Sequence, residues 1–286
     1  VVDAAKYRGE INFAYKTLGK LLNSGGSIDL RHAIVGTDLS GNPVEVNLEN
    51  NAYVSMGIVA GTRSGKGVLT MSLIASMLAA KCPVVYLDYK PDMAGTFWRL
   101  ERQYGVKTLA IDGQTSKLNG LTPVRNYQAG YGIPSALRDE ISDKLNVMPY
   151  IKGIQIMNLL GLARVSGKLN KSRKMFFILD EAQQCSKQID DNRKEIETLR
   201  DKNKPKGKSE PSEEYLYLEK LSKLYGSVGQ SATTFLNTNG GLGNMGALVL
   251  GQQANAQEWR GPLGALMLKC SLKFLGTGTI GGSQYG

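Results

Sequence analysis

Residues able to do chemistry gather where apolar strands run into helices. The first such passage, residues 57–78, reads GIVAGTRSGKGVLTMSLIASML: an apolar strand, a glycine-rich turn, Lys66 and an apolar helix pattern. A chain of phosphates needs backbone N–H groups at close range, which Gly61 and Gly65 permit. It also needs the positive end of a helix dipole and one ammonium for the terminal oxygens. All three occur here in order. Against the pattern G-x-x-x-x-G-K-[ST], Ala60 replaces the first Gly and Gly67 replaces the hydroxyl residue. The expected cradle runs from Ala60 through Gly61, Thr62, Arg63, Ser64, Gly65, Lys66 and Gly67 to Val68. A strand-to-helix turn with incidental Gly and Lys is the competing reading.

FFILDEAQQ is the second passage. Its strand delivers Asp180 to the carboxyl edge of a sheet, where ligands bind in open α/β folds, with Glu181 next in line. The expected roles are Asp180 for Mg²⁺ and Glu181 for polarising an attacking water. A helix start with acidic residues favoured by the dipole is the alternative. In the third passage, ALVLGQQANAQEWRG, Gln253 is placed to sense a terminal phosphate through its neutral amide, or else is a solvated loop glutamine. Arg260, with Arg63 second, is the candidate arginine finger toward a neighbouring subunit. YLDYKPD carries Asp88 and Lys90 at another strand end, where a simple ion pair suffices.

These passages need elements to hold them. Ala4, Tyr7, Ile11, Ala14, Leu18 and Leu21 form a helical stripe, so residues 1–28 read as an N-terminal helix. HAIVGTD and PVEVNL, joined at Ser40-Gly41-Asn42-Pro43, read as a hairpin leading into the buried strand before Gly61. Further apolar bursts at 84–88, 108–112, 176–180 and 247–251 alternate with helical patterns. That alternation predicts an α/β fold, a mostly parallel central sheet with helices on both faces, over 29–286. Residues 130–170 read as a small helical subdomain split at Pro149, and 185–240 as a charged helical insert. The polar run 201–214, rich in Lys, Pro, Ser and Glu, is expected to be mobile.

Composition narrows the chemistry. The 286 residues are 42% hydrophobic and 21% charged, close to an ordinary globular chain, which excludes fibrous and wholly disordered readings. His32 is the sole histidine, so His-based triads and zinc-protease motifs are out. Cys82, Cys185 and Cys270 form no C-x-x-C pair and read as reduced thiols of a cytosolic protein. No run reaches the roughly 18 apolar residues of a membrane span, so any anchor would lie outside this chain. A net charge of +10 favours a polyanionic partner. Lys168, Lys171, Arg173 and Lys174 ahead of FFILD, and Lys202, Lys204, Lys206 and Lys208 in the polar run, are candidate phosphate contacts or solvated charged turns.

Taken together, Thr62 to Val68, GTDLSGNPVEV, YLDYKPD, LDEAQQ at 179–184 and Gln253 to Gln257 resemble, in the same order, the landmarks of the RecA-like motors of the FtsK/HerA superfamily. Within it the chain is most similar to type IV secretion coupling proteins of TraG/TraD kind, whose P-loops often have Gly after the Lys. The resemblance covers about 30–280 and implies an ATP- and Mg²⁺-dependent P-loop ATPase that assembles as a hexameric ring. Such a ring moves DNA or nucleoprotein toward secretion or division machinery at the cytoplasmic face of the inner membrane. An FtsK-like or HerA-like double-stranded DNA translocase and a weakly hydrolysing, nucleotide-gated adaptor are the alternatives.

Overall fold

A computed structural model describes residues 30–37, 40, 42–61, 64–89, 102, 109–112, 118–119, 133–207, 209–252 and 259–275. The N-terminal helix expected over 1–28 lies outside them. The first two strands, β1 (Ala33–Thr37) and β2 (Pro43–Val46), pair antiparallel as the expected hairpin. The remaining strands are β3 (Ser55–Val59), β4 (Val84–Asp88), β5 (Leu109–Asp112), β6 (Leu118–Asn119), β7 (Met175–Leu179), β8 (Met245–Gly251) and β9 (Leu272–Leu275). They form one seven-stranded sheet in the order β6-β5-β4-β7-β8-β3-β9. Every pairing in it is parallel except that of the two-residue β6 with β5. The apolar bursts are thus β4, β5, β7 and β8, and the chain is α/β as expected.

Parallel strands bury both faces, and the pleat sorts their side chains into two cores. On one face Met56, Ile58, Phe176, Ile178, Leu248 and Leu250 pack with Leu73, Ile74 and Met77 of helix α1 (Lys66–Ala79) and with Leu30 and Leu48 flanking the hairpin. On the other, Val59, Phe177, Leu179, Ala247 and Val249 pack beneath helices α2 (Met148–Val165), α3 (Ala182–Lys202) and α4 (Glu213–Thr234). Pro149 stands in the first turn of α2, where its missing N–H costs no helix bond, so the helix starts beside the proline expected to split it. Helices α3 and α4 are the two amphipathic helices read from 182–225, and their stripes, Cys185, Ile189 and Ile196 against Leu218, Leu221 and Tyr225, are buried in that same core. Between them, Ser212 caps α4 by accepting the Tyr215 N–H at 3.2 Å. A π-helical turn, Phe235–Asn239, then leads to β8.

What opens a crevice is the direction in which the chain leaves three adjacent strands. From β3 it turns into α1 on one face, whereas from β7 it turns into α3 on the other. From β8 it passes to a one-turn helix, α5 (Gly264–Leu268), whose Leu266 and Met267 belong to the α3 side. Connections departing to opposite faces leave space at the carboxyl edge of β3, β8 and β7.

Candidate functional site

Gly65 is the N-cap of α1 and sits in the left-handed region, φ 88° and ψ 6°, which a glycine enters without a steric penalty. Behind it the turn folds back on Gly61, whose carbonyl accepts the Ser64 N–H at 3.2 Å and the Ser64 hydroxyl at 2.5 Å. Gly65 has no side chain to cap the helix, and the first intrahelical bond is Leu69 N–H to Gly65 O at 3.0 Å. The N–H groups of Lys66, Gly67 and Val68 therefore precede the helix ladder at the positive end of its dipole. A Cβ added at Gly67 would meet nothing within 4 Å, and Val68 is exposed. The turn thus has the donors and the room that a phosphate chain needs. Thr62 and Arg63 lie outside the described residues.

Across the crevice, Glu181 is the N-cap of α3 with φ 44° and ψ 36°, left-handed backbone for a residue that has a Cβ. Such a conformation costs on the order of 1–2 kcal/mol and is held only where the surroundings impose it. Its carboxylate makes no capping bond to its own helix. Instead Oε1 lies 3.3 Å from Lys66 Nζ, with the two side chains only 16% (Lys66) and 11% (Glu181) exposed. This separates the site from an ordinary acidic helix start, in which the carboxylate serves the helix's own N–H groups.

The strand between them supplies an amide. Gln252 follows β8, and its Nε2 donates to both Glu181 oxygens, at 3.2 and 3.1 Å. Its backbone N–H in turn donates to Gln183 Oε1 of α3 at 3.1 Å, so α3 fixes the exit of β8. On the other side, the Ala60 N–H donates to Gly251 O at 3.1 Å, tying the start of the glycine turn to the same strand end. Lys66, Glu181 and Gln252 are one connected cluster drawn from three strand ends.

Asp180 is placed by its backbone: its N–H donates to Leu87 O of β4, and its carbonyl accepts the Tyr150 hydroxyl, both at 3.1 Å. By the alternation of β7, position 180 falls on the α1 side. Burial, with Cys185, Asp180, Tyr86 and Glu181 adding to it, pushes the Tyr150 phenol well above its ordinary pKa, so it stays a donor. Tyr89 is raised likewise, by burial first, and donates to Gln188 Oε1. Its ring meets that of Tyr150 edge-on at 6.5 Å, within the core on the α2 and α3 side of the sheet. Among the described residues no three His, Cys, Asp or Glu side chains gather as a metal cage. The carboxylates on offer are Asp180 and Glu181, a donor set that suits Mg²⁺, which takes one or two carboxylates and completes its shell with phosphate oxygens and water.

Arg260 is exposed on a turn locked to α3. Ser186 Oγ donates to Arg260 O at 2.8 Å and accepts the Leu263 N–H at 3.0 Å, while Trp259 is buried against Gly251 so tightly that a Cβ there would lie 2.2 Å from its ring. The Arg260 side chain makes no ion pair among the described residues, and it is not brought to Lys66 or Glu181. Gln253 lies outside the described residues, as do Lys90 and the Asp88 side chain. Of the amides after β8 the structure describes Gln252, which sequence reasoning missed. Lys174, read from sequence as either a phosphate contact or part of a solvated charged turn, is instead buried. Its ammonium donates to Asn50 O at 2.9 Å over the Phe176 ring, and desolvation lowers its pKa to about 8. Cys82, Cys185 and Cys270 are free thiols. No family model, no curated protein and no solved structure matches the chain.

Proposed function

We propose that the chain is a RecA-like P-loop ATPase that works in an oligomeric ring as the motor of a DNA or nucleoprotein translocase, of the conjugation or type IV secretion coupling kind. The observation that carries the ATPase reading is the Lys66–Glu181 pair: an ammonium at a helix N-terminus faces a carboxylate that forgoes capping its own helix, across the end of an intervening strand. The translocase part rests on the motif resemblance and on the +10 charge.

In this reading the N–H groups of Gly65 to Val68 and the Lys66 ammonium hold the phosphates of ATP, and Asp180 serves the accompanying Mg²⁺. When bound, the nucleotide supplies a cleavable phosphoanhydride. Lys66 then exchanges its contact with Glu181 for phosphate oxygens. The released Glu181 carboxylate accepts a proton from the attacking water while Gln252 keeps it oriented. Arg260, its backbone fixed by Ser186, is presented outward toward a neighbouring subunit.

A second reading, a nucleotide-gated adaptor with little turnover, draws on Gly67, which leaves no hydroxyl beside the metal position. Multiple-turnover ATP hydrolysis with and without DNA, at matched protein concentration, separates the two. Turnover that DNA stimulates and Lys66→Ala abolishes is the expected result. Tight nucleotide binding with flat, negligible turnover selects the adaptor. Unchanged hydrolysis in Lys66→Ala overturns the site itself.

A further inference from the structure

On the outer side of α2, Ile156, Leu159 and Leu162 stand exposed at three-residue steps, Leu159 to 61% and Leu162 to 53%. Leu169 and Leu242 join them from elsewhere in the chain, Leu242 at 60% exposure. The Leu169 N–H donates to Ala163 O at 3.1 Å, Asn239 Nδ2 donates to Asn158 Oδ1 at 2.7 Å, and Lys171 Nζ donates to Leu242 O at 3.4 Å. Three stretches of chain therefore present one apolar surface. Nothing of this kind is scattered singly over the rest of the described residues to the same degree: five of the nine exposed large apolar side chains are here.

Along the stretches of chain that carry these leucines, charge has a single sign. From Met148 to Leu179 the sequence holds six Lys or Arg and no Asp or Glu, and Leu221 to Gln257 holds no acidic residue either. Lys168, Lys171 and Arg173 are exposed at the rim, and Arg173 Nη1 donates to Lys81 O at 3.3 Å, bringing exposed Lys81 alongside. Glu49, the acid that acts on nearby Lys174, is paired with Arg31 at 2.9 Å.

We propose that this surface docks on an anionic lipid bilayer, its leucines entering the boundary between headgroups and acyl chains and its cations meeting lipid phosphates. The charge pattern selects this occupant. A nucleic acid would match the cations and leave the leucines in water, and a protein partner would need a groove cut to a ridge of projecting side chains, whereas a bilayer conforms to it. Arg164, at the C-terminal end of α2, donates to Arg173 O just ahead of β7, so the surface lies at the amino edge of the sheet. Lys66 and Glu181 are at the carboxyl edge, and docking leaves them facing away from the membrane. The inference does not rest on the nucleotide reading.

Flotation of the 286-residue chain with phosphatidylcholine vesicles, with and without phosphatidylglycerol, tests it. The chain is expected to float with the anionic vesicles, to be released by salt, and to ignore the neutral ones. Leu159→Ser with Leu242→Ser, and separately Lys168→Glu with Lys171→Glu, should each weaken binding about tenfold or more, with circular dichroism and thermal midpoint unchanged. All four side chains are exposed, so neither pair threatens the core. Absence of flotation, equal flotation with neutral lipid, or indifference to both double variants overturns the proposal. So does light scattering that shows the leucine variant splitting a dimer without any vesicle binding, which assigns the face to a second copy of the chain.

Discussion

Two strand-to-helix turns face each other at the carboxyl edge of the sheet, and each breaks the ordinary rule for starting a helix. Helix α4 shows that rule: Ser212 is extended, and its hydroxyl accepts the Tyr215 N–H. At α1 and α3 the N-cap is left-handed and makes no side-chain cap. The two turns differ in which residue bears that conformation. Glycine at 65 takes it without strain and leaves backbone donors pointing outward, whereas Glu181 takes it at a cost and gives its carboxylate to Lys66 and Gln252. One turn is built to present N–H groups, the other to present a negative oxygen, and the crevice between them is polarised accordingly.

The largest effect expected from breaking this pairing is on the acidic side. Glu181→Gln keeps the shape and the neighbours but removes the proton acceptor, so turnover should fall about 10²–10⁴-fold, with nucleotide affinity retained. A calorimetric titration beside a phosphate-release assay reads both. Equal turnover in Glu181→Gln would mean that the carboxylate only balances the Lys66 charge. Next comes the amide that holds it. Gln252→Leu frees Glu181 to rotate and should lower kcat roughly tenfold to a hundredfold with little change in KM. A rise in KM alone would place Gln252 on the nucleotide rather than on Glu181.

How much of this was legible in the sequence follows from the range of the interactions. Lys66 and Glu181 could be read because each belongs to a local strand, turn and helix whose apolar pattern announces all three parts. The helices α3 and α4 could be read from stripes such as Cys185, Ile189 and Ile196. Gln252 could not, because choosing between adjacent glutamines needs the pleat parity of β8 and the face that α1 covers. Leu248 and Leu250 pack on the α1 side, so 252 shares it, and the register of Val59 against Gly251 sets the height. The Ser186 clamp on Arg260 and the seat of Trp259 on Gly251 join residues distant in sequence, without any local pattern. Lys174 sat in a run of charges that looked solvated, and only its apposition to Asn50 and Phe176 shows it buried.

Backbone strain gives a smaller and cleaner comparison of the two turns. Glu181→Ala and Glu181→Gly both lose the carboxylate, so their difference isolates the left-handed conformation, and the glycine variant should be the more stable by about 1–2 kcal/mol. Gly65→Ala should lose about the same amount, since a Cβ there meets nothing within 4 Å and only its backbone is opposed. Urea midpoints at unchanged m-value read both differences. If alanine and glycine at 181 are equally stable, Glu181 is not strained, and the contrast between the turns reduces to chemistry alone.

The smallest effect on stability is expected at Gly67, and it bears most directly on what the glycine turn faces. A side chain there projects into open space, so Gly67→Thr should change stability by no more than about 0.5 kcal/mol. Its hydroxyl would stand in the first turn of α1, where the general phosphate-binding pattern puts a metal ligand. Turnover should be retained or raised, and the Mg²⁺ concentration for half-maximal activity should fall, because a protein oxygen takes the place of a water that must otherwise be ordered. A folded Gly67→Thr protein that loses nucleotide binding would show instead that this turn needs its glycine for a close approach by the ligand's own oxygens. The cradle would then rest on backbone contact at both 65 and 67, and the acidic turn alone would answer for the metal.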